Sequence, residues 1–125
     1  MARPRSVYRF CPHCGAPLAH GEKFGRSRAF CRYCNFIHFA DPKVAVGALV
    51  TDGTRVLLVR RGAVPRIGYW ALPAGYMDAD EDPVEAVRRE VFEETGVEAR
   101  VGDLRHVVTL GGWEERRGLL LLYAA

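Results

Sequence analysis

The sequence lacks an apolar run long enough to cross a membrane. Its longest run, LLLLYAA at residues 119–125, is far shorter than the roughly 20 apolar residues that a membrane-spanning helix requires. The first ten residues, MARPRSVYRF, carry charge but are not followed by an apolar segment, so no secretory signal is predicted. These absences predict a protein that does not contact a membrane, and the cytoplasm is the expected location.

Internal repeats and low-complexity tracts are also missing. With 49% apolar and 26% charged residues, the composition is that of a soluble globular protein and excludes a disordered chain. A length of 125 residues allows one ordinary domain, or one small domain with an appended module.

Charge and cysteine are unevenly distributed along the chain. Residues 1–42 carry seven Lys or Arg against two acids, a formal charge of +5, whereas residues 43–125 carry eleven basic residues against thirteen acids, a formal charge of −2. All four cysteines lie in the first part. This shift, near ADPKV at residues 40–44, predicts a small module at residues 1–42 and a larger domain at residues 43–125.

The cysteines form two Cys-x2-Cys pairs, Cys11 with Cys14 and Cys31 with Cys34. This spacing is typical of a four-cysteine zinc site, because each two-residue gap allows a tight turn that directs both thiolates at one tetrahedral ion. A module of this size has too little core to fold alone, so a structural zinc ion is expected to stabilise it. The alternative, two disulfides, is disfavoured because no secretory signal is predicted.

The module is also basic and aromatic. Its cations could contact nucleic acid or phosphates, or could form an ordinary solvated surface, so a nucleic-acid partner is possible but not favoured. These cations are Lys23, Arg26, Arg28 and Arg32. The aromatic side chains are expected to pack the module against its neighbour rather than to stack on bases. They are Phe24, Phe30, Tyr33, Phe36 and Phe39.

Apolar patterning in residues 43–125 predicts strands around one helix. Residues 44–50 and 55–60 are β-rich and flank TDGT, which predicts a hairpin with an Asp-Gly turn. The stretch YWALPAGYM is expected to contain a short strand that runs into a loop. Two further strands are predicted at residues 99–110 and 118–124, around the loop GGWEERRG. The order of elements indicates an α/β or α+β domain.

The helix is predicted between Asp82 and Gly96. Asp82 suits the N-cap, Pro83 the first helical position and Glu85 the third position of a capping box. Gly96 is expected just past the last turn. The apolar arc that should face the core consists of Val84, Val87 and Val91.

Three glutamates lie on one face of this helix at a cost. Glu90 and Glu94 are four residues apart, and such a like-charge pair destabilises a helix by about 0.2–0.5 kcal/mol. Together with Glu93 they also lie near the negative end of the helix dipole. Carboxylates in this arrangement suit Mg²⁺ or Mn²⁺, and Mg²⁺ usually shares the phosphates of its substrate. The alternative is a solvated face in which Arg89 pairs with Glu85 or Glu93.

The acidic run DADED at residues 78–82 resembles the start of a calcium loop. That pattern requires Gly at its sixth position and Glu at its twelfth, which here are Pro83 and Arg89. A calcium loop is therefore excluded.

Residues 75–97, GYMDADEDPVEAVRREVFEETGV, resemble the Nudix box at every fixed position. Those positions are Gly75, Glu81, Arg89, Glu90, Val91, Glu93, Glu94, Gly96 and Val97. The preceding WALPAG is similar to the usual lead-in, with Ala74 where Gly is common. The cysteine module followed by IHFADPKVAVGAL resembles the zinc ribbon of a subset of Nudix hydrolases, which includes NADH-, ADP-ribose- and FAD-pyrophosphatases. The resemblance covers nearly the whole chain.

The resemblance implies Mg²⁺-dependent hydrolysis of a nucleoside diphosphate linked to another moiety, with a small-molecule nucleotide as substrate. The implied metal ligands are Glu90, Glu93, Glu94 and the carbonyl of Gly75. Glu81 would hold Arg89, and Arg89 would orient a ligand carboxylate. Glu94, or a carboxylate outside the box, would take the proton of the attacking water. Candidates to hold phosphate, or else solvated strand-edge charges, are Arg60, Arg61 and Arg66.

Two departures from the family limit these expectations. No proline follows the box, unlike the segments that mark NADH and ADP-ribose hydrolases, which argues against NADH as the preferred substrate. The implied fold is an α/β/α sandwich around a mixed sheet, and it normally continues with a further strand and a C-terminal helix. This chain stops in LLLLYAA, so those elements are expected to be missing, and a homodimer is predicted in which a partner covers an exposed apolar edge.

Two other functions remain as alternatives to the pyrophosphohydrolase. One is a nucleotide-sensing binding or regulatory protein whose ribbon contacts nucleic acid. The other is cleanup of damaged nucleoside triphosphates, which uses the same chemistry with a different pocket. The complete set of box carboxylates favours an enzyme, because a sensor does not need it.

Overall fold

The structure is a computed structural model that describes residues 8–111 and 118–125. The predicted loop GGWEERRG therefore lies almost entirely outside the described residues. The same holds for most of MARPRSVYRF, on which the prediction of no secretory signal depends. Among the helices of the described residues, none is long and apolar enough to span a membrane.

The described residues form ten strands and one helix. In chain order they are β1 (Ala19–Lys23), β2 (Arg26–Phe30), β3 (Lys43–Leu49), β4 (Thr51–Asp52), β5 (Arg55–Val56), β6 (Val59–Arg60), β7 (Trp70–Ala71), β8 (Ala74–Tyr76), α1 (Pro83–Thr95), β9 (Leu104–Leu110) and β10 (Gly118–Ala124). The chain divides between Asp41 and Pro42 into two compact units, one residue before the boundary predicted from composition.

The first unit is built on the antiparallel hairpin of β1 and β2, between two cysteine-bearing turns. Gly15 ends the first turn with a φ of 78°, a left-handed conformation that glycine adopts without strain. Phe36 packs within the unit, with its ring 5.0 Å from that of His13. The expectation that all the aromatic side chains pack is wrong for Phe24 and Tyr33, which are 79% and 78% exposed.

The second unit contains a four-stranded mixed sheet in the order β8-β3-β10-β9. Strand β10 runs parallel to β3 and antiparallel to β9, and β8 is antiparallel to β3. The apolar run at residues 118–124 is therefore an interior strand, as its composition predicts. Because β10 has a partner on each side, the outer strands of this sheet are β8 and β9.

Helix α1 begins and ends where its local signals predict. The Asp82 side chain accepts a hydrogen bond of 2.9 Å from the Val84 backbone N–H, and Pro83 occupies the first turn. Gly96 is left-handed, with a φ of 73°, and its N–H donates to the carbonyl of Phe92. Both ends of the helix are therefore satisfied by residues next to them in the sequence.

The core lies between α1 and one face of the sheet. Val87 and Val91 of the helix and Val46 of β3 are at most 1% exposed, and fully burying a valine contributes about 1.5–3 kcal/mol. Val84 of the predicted arc is only half-buried, whereas Ala86 is buried in its place. The buried side chains thereby hold α1 against β3 and β8.

The predicted hairpin partner at residues 55–60 is wrong as a single strand. Strand β5 pairs with β4 around the left-handed Gly53, as the Asp-Gly signal predicts. After Leu57 donates to the carbonyl of Val50, the chain leaves this pairing, and β6 joins β7 instead. The predicted strand at residues 99–110 is likewise shorter, because β9 begins only at Leu104.

Candidate active site and zinc centre

The four cysteine Sγ atoms form one compact cluster. They lie within 4.8 Å of one another, with 3.5 Å between Cys11 and Cys34 and 3.5 Å between Cys14 and Cys31. Four sulfurs bound tetrahedrally to one zinc ion at about 2.3 Å lie about 3.8 Å apart, so the cluster fits zinc without rearrangement. All four thiols are free, which matches the zinc interpretation and not the disulfide alternative.

Backbone N–H groups point at the first cysteine of each pair. His13 donates to Cys11 Sγ and Tyr33 donates to Cys31 Sγ, each at 3.4 Å. The Tyr33 N–H lowers the pKa of Cys31 to about 7, because it stabilises the thiolate. For Cys34 a hydrogen bond from Phe36 acts in the same direction, but burial and the neighbouring thiols outweigh it and raise the pKa to about 12. The backbone N–H groups of the turns thus stabilise the thiolate that a metal requires, most clearly at Cys31.

Arg89 is the centre of the second cluster, at the loop before α1 and on the helix itself. Its Nε and Nη2 bind both carboxylate oxygens of Glu81, with 2.9 Å from Nη2 to Oε2. Glu81 also accepts from the Asp78 backbone N–H, and Arg89 Nη2 donates to the Tyr76 carbonyl at 3.1 Å. The hydrogen bond from Arg89 lowers the pKa of Glu81 to about 2, and the pKa of Arg89 is raised. The pair therefore stays charged and fastens the loop to the helix.

Arg89 also contacts two of the three box glutamates. Its Nη1 donates to Glu90 at 2.8 Å and to Glu93 at 3.2 Å. The Glu90 carboxylate lies against Gly75, where a Cβ would come within 2.2 Å of its carbon. Only glycine at position 75 leaves room for this carboxylate. The sequence alternative that pairs Arg89 with Glu93 is thus present, but within a larger network that the solvated-face alternative does not include.

Glu94 is exposed and has a different environment. Desolvation by nearby atoms raises the pKa of this carboxyl, and the charges of Glu90 and Glu93 act in the same direction. A hydrogen bond from the Ala74 backbone N–H and the charge of Arg61 oppose the increase. Glu94 is therefore the box carboxylate with the least compensated negative charge.

The box carboxylates are not gathered as the cysteines are. Within the described residues, the cysteine cluster is the one group of at least three possible metal ligands whose atoms lie within 4.8 Å of one another. The glutamates share one helix face, but Arg89 holds Glu90 and Glu93 at its own Nη1. The charge repulsion predicted from the sequence is thus partly relieved by an arginine of the same helix.

The three candidate arginines for phosphate have different positions. Arg61 and Arg66 line a cavity of about 430 Å³. The other residues that line it are Pro65, Tyr69, Trp70 and Ala71. Arg61 Nε is held by the Pro65 carbonyl at 2.8 Å, and its charge also acts on Glu94. Arg60 does not line this cavity and donates to the Gly68 carbonyl instead.

Sequence reasoning missed several groups of the site. Three of these groups belong to the main chain, so the residue type does not indicate them. They are the backbone N–H of Ala74, the carbonyl of Tyr76 and the backbone N–H of Asp78. Tyr69 and Trp70 line the cavity but were assigned only to a strand. Their position three and four residues before Pro73, close in sequence to three arginines, was the available signal.

Comparison with known proteins places this geometry in context. A family model described as NUDIX domain matches residues 41–120. Among solved structures, a NUDIX hydrolase from Nitrosomonas europaea aligns with a TM-score of 0.80 and 31% identity, covering 94% of this chain and 67% of that one. The predicted mixed sheet with one helix and an N-terminal cysteine cluster is therefore confirmed.

Several curated relatives are similar over much of the chain. The human protein named NAD(P)H pyrophosphatase NUDT13, mitochondrial, is 36% identical over 98 residues, which are 78% of this chain and 27% of that protein. The NAD-capped RNA hydrolase NudC of Stutzerimonas stutzeri is 32% identical over 122 residues, 96% of this chain and 41% of that protein. The ADP-ribose pyrophosphatase of Methanocaldococcus jannaschii is 34% identical over 85 residues, which are 68% of this chain and 48% of that protein. The chain spans less than half the length of each of these relatives.

Proposed function

Because the chain belongs to the NUDIX domain family, we propose that it hydrolyses the pyrophosphate bond of a nucleoside diphosphate linked to another moiety. The reaction requires a divalent cation, Mg²⁺ or Mn²⁺. The observation that carries the proposal is the position of Glu94, a box carboxylate on the same face as Glu90 and Glu93 and within the influence of Arg61. Carboxylates for a cation and an arginine for a phosphate thus occur at one place.

The donor set fits a hard divalent cation. Glu90, Glu93 and Glu94 supply only oxygen ligands, and the carbonyl of Gly75 is the further oxygen ligand that we propose. A cation held by these residues would neutralise phosphate charge and would lower the pKa of the attacking water. Release of Glu90 and Glu93 from Arg89 would accompany binding, while Glu81 keeps the arginine in place.

The remaining roles belong to groups of the chain itself. Glu94 accepts the proton of the attacking water at its carboxylate. Arg61 binds a substrate phosphate, and its hydrogen bond to the Pro65 carbonyl holds the side chain beside the cavity. Arg66 contributes a second positive charge at the cavity wall.

The names of the relatives indicate which substrates should be tested. Their names refer to NAD(P)H, NAD-capped RNA and ADP-ribose, and all three contain an adenosine diphosphate joined to a second moiety. The missing prolines argue against NADH, whereas the similarity to NUDT13 and NudC argues for it. We therefore extend the proposed class to NAD-type dinucleotides, with ADP-ribose and FAD as the other members.

The test is a hydrolysis screen with Mg²⁺ present and with products identified by mass. It compares NADH, NAD-capped RNA, ADP-ribose, FAD and oxidised dGTP. Glu94→Gln is expected to lower kcat by about 10²-fold or more, because general-base catalysis contributes about 10²–10⁴-fold. The matched control is Glu98→Gln, the same change at an exposed glutamate beyond the helix, which should retain full activity.

The outcomes separate the candidate functions. Cleavage between two phosphates that disappears in Glu94→Gln supports the proposal and identifies the substrate. If the protein cleaves only oxidised dGTP, its function is the cleanup of damaged nucleoside triphosphates. If the folded, zinc-loaded protein binds a nucleotide but cleaves none, the hydrolase proposal is rejected in favour of the sensor.

The cysteine unit is included in the proposal as a structural zinc ribbon at residues 1–42, with the catalytic domain at residues 43–125. Its four cysteines fill a tetrahedral coordination shell, so no position remains for a substrate. The thiolates must stay reduced to bind zinc, which fits a cytoplasmic location.

A homodimer remains part of the proposal, with outer strand β9 in place of the terminal strand as the surface that is covered. Leu104, Val107 and Val108 of this strand are 46%, 57% and 39% exposed. Outer strands with exposed apolar side chains are prone to pair with a second chain. Sedimentation should give twice the chain mass, and Val107→Lys should convert the protein to a monomer. A monomeric mass for the unmodified protein would reject this prediction.

A further inference from the structure

The hairpin of β1 and β2 separates positive from negative charge between its two faces. Side chains of paired residues in an antiparallel hairpin point to the same side, and consecutive residues alternate. Lys23 pairs with Arg26, Gly21 pairs with Arg28, and these four residues therefore share one face. Glu22 pairs with Ser27 on the opposite face. We call Lys23, Arg26, Arg28 and the adjoining rings of Phe24, Phe30 and Phe39 the basic aromatic surface.

The cations of this surface have no acidic partner among the described residues. Every ion pair among the described residues involves Arg55 or Arg89, and both of these arginines lie in the second unit. Lys23 Nζ lies 4.4 Å from the centre of the Phe30 ring, and the Arg28 guanidinium lies 4.7 Å from that of Phe39. Cations over aromatic faces keep their charge available to a ligand.

Phe24 is at the tip of the hairpin in an unfavourable conformation. Its φ is 52° and that of Gly25 is 78°, so both residues of the two-residue turn are left-handed. Such turns favour Asn-Gly or Asp-Gly, and a bulky aromatic residue there is a genuine outlier. The ring is nonetheless 79% exposed and lies 5.8 Å from that of Phe39. The turn thus presents an aromatic ring to solvent in spite of a conformational cost.

We propose that the basic aromatic surface binds single-stranded nucleic acid. Three cations without an acidic partner among the described residues suit backbone phosphates, and the exposed ring of Phe24 suits the face of an unpaired base. A duplex offers phosphates but hides its base faces, so it should bind more weakly. Stacking and phosphate contacts do not use the sugar 2′-hydroxyl, so RNA and DNA single strands should bind alike. An acidic protein would be attracted by the same charge, but would not require the ring of Phe24.

The first experiment measures binding of labelled single strands to the full, zinc-loaded chain by fluorescence anisotropy. The probes are an oligouridylate, an oligothymidylate of equal length and a duplex of equal length. We expect similar affinities for the two single strands and at least about tenfold weaker binding of the duplex, since stacking on unpaired bases is lost. Equal binding of the duplex would overturn the proposal.

The decisive variant is Phe24→Asn. Asparagine tolerates a positive φ and makes the turn Asn-Gly, so the hairpin should be at least as stable while the ring is removed. Affinity for both single strands should fall about tenfold, given the contribution of base stacking on an aromatic side chain. Phe24→Tyr keeps the ring and should retain binding. Unchanged affinity in Phe24→Asn would overturn the proposal, and Phe39→Leu provides the same test outside the turn.

A pair of charge variants tests whether the face matters or only the net charge. Arg26→Gln and Glu22→Gln each change the charge by one, in opposite directions and on opposite faces. Arg26→Gln should reduce the slope of log K against log salt by about 0.7, because one phosphate contact is lost. Glu22→Gln should leave that slope unchanged. Equal and opposite changes would overturn the proposal in favour of a diffuse electrostatic attraction.

Two further controls separate this inference from the alternatives. The first control adds polyglutamate as a mimic of an acidic protein. The proposal is overturned in favour of an acidic protein partner if polyglutamate displaces the single strands and binds the Phe24→Asn variant as tightly as the unmodified protein. All binding is measured on the zinc-loaded chain without added Mg²⁺ or Mn²⁺ and repeated in Glu94→Gln. The result therefore does not depend on hydrolysis, and either proposal can fail while the other holds.

Discussion

The cysteine cluster and the box carboxylates represent two ways of placing the side chains that we propose as metal ligands. The cysteines lie on two tight turns, and their Sγ atoms are gathered within 4.8 Å before any ion is considered. The glutamates lie on a continuous helix, whose geometry spaces them at one turn, and Arg89 binds two of them. A ribbon that must be held together thus has ligands already in place. The proposed catalytic site, which must exchange substrate, instead has carboxylates that an arginine can hold and release.

The largest effect is expected on removing one ligand from the gathered site. Cys31→Ser should unfold residues 8–41, because structural zinc contributes about 10–16 kcal/mol of apparent binding free energy in small zinc domains. Hydrogen exchange should show loss of protection in β1 and β2 while α1 stays protected. Addition of a strong chelator to the unmodified protein should reproduce the pattern. Equal loss of protection in α1 would show that the two clusters are not independent.

A second, smaller effect is expected where the carboxylates contact the backbone. Gly75→Ala places a Cβ within 2.2 Å of the Glu90 carboxyl carbon, so the carboxylate must move. We expect destabilisation of about 1–3 kcal/mol from overpacking, and about a 10²-fold loss of activity from the displaced ligand. Denaturant unfolding and hydrolysis rates measure the two effects. Gly62→Ala is the matched control, because a Cβ at Gly62 meets no atom within 4 Å.

The smallest effect is expected on the pH dependence of stability, when Glu81 no longer pairs with Arg89. The pKa of Glu81 is lowered to about 2 from its ordinary value near 4.5, so this group adds stability above pH 4.5 that is lost as the pH falls toward 2. Glu81→Gln should remove that part of the pH dependence, so the variant and the unmodified protein should approach each other in stability at low pH. Urea unfolding at neutral and acidic pH measures it. A constant difference between them at all pH values would contradict the assignment.

The sequence predicted best those features that depend on neighbouring residues. The helix bounds follow from Asp82 and Gly96, and the cysteine centre follows from the spacing of its two pairs. Both are consequences of local geometry, so they can be read without knowing the rest of the fold. The Nudix-type sheet was predicted through resemblance and not through local rules, since pairing of β3 with β10 joins distant parts of the chain.

The features that were missed depend on contacts between distant residues. Residues 55–60 are a continuous β-rich run, yet the pairing of Arg60 with Trp70 divides them into two strands. Arg89 was expected either to orient one ligand carboxylate or to pair with Glu85 or Glu93. It instead binds Glu90, Glu93 and the carbonyl of Tyr76 together. The cavity beside Arg61 likewise arises from the loop that returns through Tyr69. Residue type alone does not indicate these pairings.

The interior position of β10 has a consequence for synthesis of the chain on the ribosome. The four-stranded sheet of the second unit is completed only when Leu121 can pair with Val46, so β3, which can pair with β8 earlier, must wait for β10 as its second neighbour. Non-local pairing of this kind folds slowly and leaves strands exposed in the meantime. The β1–β2 hairpin needs only neighbouring residues and zinc, so it can fold while the rest is still being translated. The two units therefore differ in when they become vulnerable to aggregation and proteolysis, with the longest exposure at β3.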